Sequence, residues 1–220
     1  LAVDAVGADE LFNSSGTADV LARAVAAPLT DSQRAAIVAV GWSAGAHIVP
    51  GTELLLAGGA GGLLLRRVLA VLGVNSASAR QRLDQASERL TELPAGLVVR
   101  GDSRHRDDVE IRLRDGATPA ALWRAATGCT ARLASDMLAG ITPIVGAHRR
   151  AVAAGGWTAM ASVRSAKRAE IGGLEFCDLV QPGTAGAALL AEHSLTGGAG
   201  GPGLTELAHS PRPSKPPIRA

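Results

Sequence analysis

Short apolar runs separated by small polar residues fill the chain up to Leu56, and beyond that point apolar positions recur at helical spacing. Leu11–Asn13 and Val20–Val25 are predicted strands flanking the small-residue turn Ser14-Ser15-Gly16-Thr17. Ala35–Val40 is a short β-branched run, and Thr52–Leu56 is a further predicted strand ahead of the glycine cluster Gly58-Gly59-Ala60-Gly61-Gly62. Leu65, Val68, Leu69 and Leu72 then fall at i, i+3, i+4 and i+7 with Gly73 behind them, the pattern of a helix with a glycine stop. Ala77–Leu93 is a charged helical stretch ending at Pro94. Leu97–Val99 and Val109–Leu113 are predicted strands around the polar loop Gly101–Asp108.

The strongest helical signal is Pro119–Leu138. Thr118 can cap it, Pro119 suits its first position, and Leu122, Ala126, Cys129, Leu133 and Met137 form its apolar stripe. A break is expected at Gly140–Pro143, followed by a run to Ala154 and the pair Gly155-Gly156. Thr158–Glu170 is a basic helix with Arg164, Lys167 and Arg168 expected on its wet side. Leu174–Leu179 is a strand, Pro182-Gly183 a turn and Thr184–Leu195 a small-residue helix. Strands first, then helices alternating with strands, predict an α/β domain with a mixed sheet over residues 1–195. Gly and Pro dominate residues 196–220, a composition that predicts a disordered tail. No internal repeat is evident.

At 220 residues the chain can bury a sizeable core, and with 47% hydrophobic but only 2% aromatic residues that core is Ala, Val and Leu. A net charge of +2 leaves no electrostatic footprint for nucleic acid, and the stacking aromatics of a single-strand binder are missing. Leu54–Leu72 is apolar but broken by glycines and Arg66-Arg67, short of the roughly 20 clean residues of a membrane span. Cys129 and Cys177 lie far apart without a CxxC, which predicts two buried free thiols in a reducing, cytoplasmic setting. The five His residues show no metal-ligand spacing, so no metal site is expected from this chain. The chain opens on Leu1 in mid-pattern, which is the expectation for a fragment.

Three stretches are candidates for chemistry. Gly41-Trp42-Ser43-Ala44-Gly45 matches G-x-S-x-G after the apolar run Ala35–Val40, the form of a nucleophile elbow with Ser43 attacking an ester. Asp136 with His148, or Asp178 with His193, would have to complete a triad. Against this, Pro50-Gly51 ends any helix a few residues on and no oxyanion loop precedes the match. The glycine cluster at 58–62 is neither G-x-G-x-x-G nor a Walker A loop; it serves either as a flexible helix entry or as backbone close to a ligand. Ser15-Gly16-Thr17 presents backbone amides and one hydroxyl, which suits a phosphate, and Gly155-Gly156 before a helix lets a flat ring lie on bare backbone.

Taken in order, LFNSSGTADVL, AGAHIVPGTELLLAGGAGGLLLRRVLAVLG, ATPAALWRAATGCTARL, AAGGWTAMASVRSAKRAEIG and QPGTAGAALLA resemble the C-terminal domain of the FGGY family of carbohydrate kinases, relatives of xylulose kinase and glycerol kinase. The resemblance runs from about Val6 to Leu195 and implies the actin-like, hexokinase-like (ribonuclease H-like) ATPase fold, a mixed sheet with flanking helices. It implies a phosphotransferase acting on an alcohol group of a sugar or polyol, with ATP and magnesium as cofactors. Carried over residue by residue, Gly16 and Thr17 match the phosphate turn and Gly61 the glycine opening the helix beside the nucleotide. Gly155 and Gly156 match the adenosine-binding pair, and Met160 an adenine- or ribose-side contact. Leu65 stands where some relatives have a polar residue, and Trp157 replaces a third small residue. The resemblance moves GWSAG to the loop before a strand, with no catalytic duty for Ser43. It puts the catalytic Asp just upstream of Leu1, and assigns most sugar and magnesium contacts to a missing N-terminal domain. The isolated chain is then expected to be inactive. Its partners are ATP, sugar or polyol and the missing domain, with no nucleic acid and no membrane. The alternatives are a serine esterase built on Ser43 and a non-catalytic nucleotide-binding remnant.

Overall fold

The computed structural model of the chain describes Gly7 and residues 9–101, 109–113, 115–177 and 182–195. Most of the Gly101–Asp108 loop, Asp178 and the tail at 196–220 therefore lie outside the described residues. Eight strands and six helices are found in this part of the chain: β1 (Glu10–Ser15), β2 (Asp19–Ala26), α1 (Asp31–Ala39), β3 (Ser43–Ala46), β4 (Thr52–Gly59), α2 (Gly61–Val71), α3 (Ala77–Glu88), β5 (Val98–Gly101), β6 (Val109–Arg112), α4 (Pro119–Val145), β7 (Arg150–Ala154), α5 (Ala161–Glu170), β8 (Leu174–Phe176) and α6 (Pro182–Leu195). A 3-10 turn, Gly156–Ala159, joins β7 to α5.

The main sheet has the order β3-β4-β2-β1-β7-β8, and β5-β6 is a separate hairpin. β1 to β4 pair antiparallel, whereas β7 and β8 run parallel to β1, so the sheet is mixed as expected. Register decides what faces the core. Leu11 lies opposite Arg23, Asn13 opposite Leu21 and Ser15 opposite Asp19. One sheet face thus carries Leu11, Leu21, Leu55, Ala57, Ala151 and Ala153 against Ala134, Leu138 and Ile141 of α4. The same alternation puts polar Asn13, Asp19 and Arg23 on that inner face, where each must find a partner.

At 27 residues, and so about 40 Å long, α4 serves two cores. Its C-terminal half covers the sheet; its N-terminal half packs on Leu64, Leu65, Val68 and Leu69 of α2, Leu83 of α3 and Val163 of α5. Trp123 is fully buried at the centre of this second cluster. Thr118 caps α4 by accepting from the Ala121 amide, with Pro119 at the first position, as expected. α2 ends as predicted before Gly73, whose φ of +66° is readily available only to glycine.

Several expectations are corrected. Ala35–Val40 is not a strand but lies in α1 and its C-cap. Thr30 and Gln33 form a capping box, a local helix start that outweighs the β-branched pair Ile37-Val38. The break at Gly140–Pro143 does not occur. Pro143 sits in the last turn of α4, and Gly146 takes a φ of +81° beyond it. The buried guanidinium of Arg23 donates to the carbonyls of Gly146 and Val145, satisfying the orphaned end of the helix. The basic stretch at 158–170 is divided, since Met160 is extended (φ −93°, ψ 129°) between the 3-10 turn and α5. Lys167 is buried rather than on the wet side. Pro182-Gly183 opens α6 instead of forming a separate turn, because a proline costs no hydrogen bond in a first turn. Among the described residues no helix is long and apolar enough to cross a membrane.

Candidate functional site

The turn between β1 and β2 is tight: the Gly16 amide donates to the Ala18 carbonyl at 3.0 Å, and Thr17 is exposed at its tip. Two other elements press on it. The entry of α2 comes so close that a Cβ on Gly62 would collide with the Gly16 carbonyl oxygen and would stand 2.8 Å from that of Thr17. A Cβ on Gly61 would stand 3.1 Å from Asp19 Cβ. From the other side β7 leads into Gly155, where a Cβ would collide with the Ser15 carbonyl oxygen and where φ is +125°. Glycine is required at Gly62 and Gly155 by the approach of backbone to backbone, whereas Gly61 is crowded by the Asp19 side chain. The first turn of α2 has no side-chain cap and is packed against the same turn, which sets the positive end of the helix dipole beside it.

Next to the turn lies a cavity of about 400 Å³ lined by Arg80, Gln81 and Asp84 of α3 and by Gly156, Trp157 and Met160. Gly156 is exposed, and nothing stands within 4 Å of where its Cβ would be. Trp157 joins the two regions. Its ring lines the cavity, its Nε1 stands 2.7 Å from the Gly62 Cβ position, and it leans on Trp123 at a centroid distance of 6.2 Å.

The floor of the cavity is held by Asp84. Met160 offers no side-chain cap to α5, and Asp84 supplies one from α3. Its Oδ2 accepts from the Ala161 amide at 2.8 Å and its Oδ1 from the Ser162 amide at 3.0 Å. Oδ1 also accepts from the Ser162 hydroxyl, which in turn accepts from Trp123 Nε1 at 2.9 Å.

Of the six candidate residues, Gly16, Thr17, Gly61 and Gly155 meet at the turn, while Gly156 and Met160 border the cavity. Leu65 is buried in the second core. Sequence reasoning missed Gly62, the tightest glycine of the cluster, as well as Arg80, Gln81 and Asp84, which carry no local signal in a charged helix.

The nucleophile elbow is absent. G-x-S-x-G spans the turn after α1 and the edge strand β3, a helix-to-strand order opposite to the elbow. Gly41 has a φ of +85°, Trp42 is buried with its Nε1 donating to Met137 O, and the Ser43 hydroxyl donates to Leu56 O. His148 is exposed and bonds the Gly172 carbonyl. Cys129 and Cys177 are buried thiols in no disulfide, and burial pushes the Cys129 thiol up, away from its reactive thiolate form.

No protein-family model matches the chain, and no curated protein matches it either. Solved structures do. The chain has the actin-like fold of the carbohydrate kinases. Xylulose kinase from Brucella ovis superposes at a TM-score of 0.72 and 20% identity, over 89% of this chain and 42% of that one. Plasmodium falciparum glycerol kinase with ADP gives 0.71 and 15%, over 95% and 42%. Xylulose kinase from Rhodospirillum rubrum gives 0.67 and 21%, over 88% and 39%. The chain spans about two fifths of the length of these kinases. The likeness agrees with the resemblance carried by its five segments.

Proposed function

We propose that this chain is the C-terminal, nucleotide-binding domain of an ATP-dependent carbohydrate kinase that phosphorylates a hydroxyl of a sugar or polyol. One observation carries the reading: Gly61 and Gly62 from one segment and Gly155 from another, distant in sequence, close on the turn formed by Gly16 and Thr17, whose neighbour is a cavity with an aromatic wall. The residues fit ATP. Gly156 leaves bare backbone on the cavity where a flat base would lie, beside the Trp157 ring and the Met160 side chain. Thr17 offers an exposed hydroxyl, and the uncapped amides of α2 offer a positive end for the phosphates. When bound, ATP would supply the γ-phosphoryl group and magnesium would offset the negative charge of its phosphates.

Among the described residues no group of three or more His, Cys, Asp or Glu could hold a metal ion. In this reading magnesium would be held by the phosphates and by the rest of the enzyme. The general base, the sugar contacts and the second phosphate loop belong to the N-terminal half, and a cytoplasmic location goes with ATP as donor. Domain closure over the two halves would exclude water. The 42% coverage of the neighbouring kinases supports this division.

The test is ligand-observed NMR on the chain with ATP and with adenosine. Thr17→Val is nearly isosteric and removes one hydrogen bond to a charged group, so it should weaken ATP by about 1–3 kcal/mol and leave adenosine unchanged. Equal loss for both ligands overturns the phosphate role of the turn. In a coupled assay the chain alone should show no sugar-dependent ATP consumption; turnover above blank overturns the assignment of the base to the missing half.

A further inference from the structure

The inner face of the sheet carries a buried ion pair directly behind the turn. Lys167 of α5 is 1% exposed, Asp19 is 4% and Asn13 is 0%. The Lys167 ammonium donates to Asn13 Oδ1 and to Asp19 Oδ2, each at 2.7 Å. The Asn13 amide closes the triangle by donating to Asp19 Oδ1 at 2.6 Å and also reaches the Val20 carbonyl at 3.2 Å. Asp19 opens β2 two residues after Thr17, pairs across the turn with Ser15, and stands against the entry of α2 through Gly61. Its carboxylate is therefore sited where an anion on the turn would feel it.

We infer that Lys167 is a positioning and charge-balancing residue for the phosphate turn. It neutralises Asp19, which in turn fixes the spacing of the turn against α2, and it ties both to α5, the helix that follows the cavity wall. This inference rests on the nucleotide reading above and adds to it the group that sets the charge presented to the phosphates. Without Lys167, a buried carboxylate would stand unbalanced behind the turn and repel a triphosphate through a medium of low dielectric. Without Asp19, the unbalanced charge would be the ammonium, and the sign of the effect would reverse. A purely structural role for the triad could not produce opposite signs.

The experiment compares ATP and adenosine binding by ligand-observed NMR on the full chain, with circular dichroism to verify folding. Lys167→Met should weaken ATP about tenfold and shift adenosine less than about twofold. Asp19→Asn, which keeps the shape of the side chain, should leave ATP as tight as wild type or tighter, with adenosine again unchanged. The double variant Asp19→Asn with Lys167→Met, neutral once more, should bring the ATP-to-adenosine ratio back to that of wild type. Should Lys167→Met fail to fold, Asp19→Asn and the double variant decide the question. ATP and adenosine shifting in parallel, or both single variants weakening ATP, overturns the inference alone. A wild-type chain that binds neither ligand overturns the nucleotide reading beneath it as well.

Discussion

Gly155 and Gly156 are neighbours with opposite reasons for being glycine. Gly155 belongs to the closed side of the site, where three backbone segments meet and a Cβ would strike the Ser15 carbonyl. Gly156 belongs to the open side, where a Cβ would meet nothing and the residue faces the cavity. Gly62 and Gly61 side with Gly155, packed on the turn and on Asp19. The difference teaches how to separate glycines that the fold demands from glycines that a ligand demands. On the closed side, substitution acts through stability. On the open side, under the proposed nucleotide reading, it should act through binding.

The sharpest break of the comparison is Gly62→Ala. Its methyl would collide with the Gly16 carbonyl oxygen, and neither backbone can yield alone. A loss of about 4 kcal/mol or more is expected in urea melts, enough to unfold a marginal domain. A melt near wild type would mean that α2 and the turn are not in contact. The next effect is Lys167→Met, which strands Asp19 in the interior at about 3–5 kcal/mol. The double variant with Asp19→Asn should recover part of that loss, measured by the same melts.

A smaller effect belongs to Asp84→Ala, on the border between the two regions. It removes the acceptor for two α5 amides and for the Ser162 hydroxyl. About 1–3 kcal/mol of stability should go, and hydrogen exchange should quicken first at Ala161 and Ser162. Uniform quickening across α5 and α4 would show that the cap is not local. The smallest effect on stability is that of Gly156→Val, within about 0.5 kcal/mol of wild type. Here the backbone has no positive φ to lose and the side chain has free space. Adenosine binding should nevertheless disappear, because the branched side chain would occupy the surface on which the base lies. Retained binding would remove Gly156 from the site.

Much of the fold was legible because its signals are local. Thr118-Pro119, the i, i+3, i+4 spacing of Leu65, Val68 and Leu69, and the Gly73 stop each act within a few residues, and each forms as expected. The Thr30–Gln33 capping box is equally local, and it rules over the β-branched residues that follow it. The turn Ser14–Thr17 and the glycine pair at 155–156 were legible as unusual, since small residues in that density serve either a turn or a ligand. That they meet is a property of β1 pairing with β7, which links positions about 140 residues apart.

Charge was the least legible. In sequence, Lys167 belongs with Arg164 and Arg168 on a basic helix, and helical spacing alone sends all three to solvent. The structure instead stacks Arg164 and Arg168 over the Phe176 ring and turns Lys167 inward to Asp19. Its partners lie 148 and 154 residues away in the chain, and those of Asp84 lie 77 and 78 residues away. Sequence by itself determined α2 and its stop, the start of α4, strands β1, β2 and β4 and the small-residue turn, because capping, periodicity and glycine conformation depend on near neighbours. Tertiary structure alone decided which polar groups are buried, which helix end is capped from elsewhere and which glycines touch, because desolvation and close approach exist only once distant segments are packed.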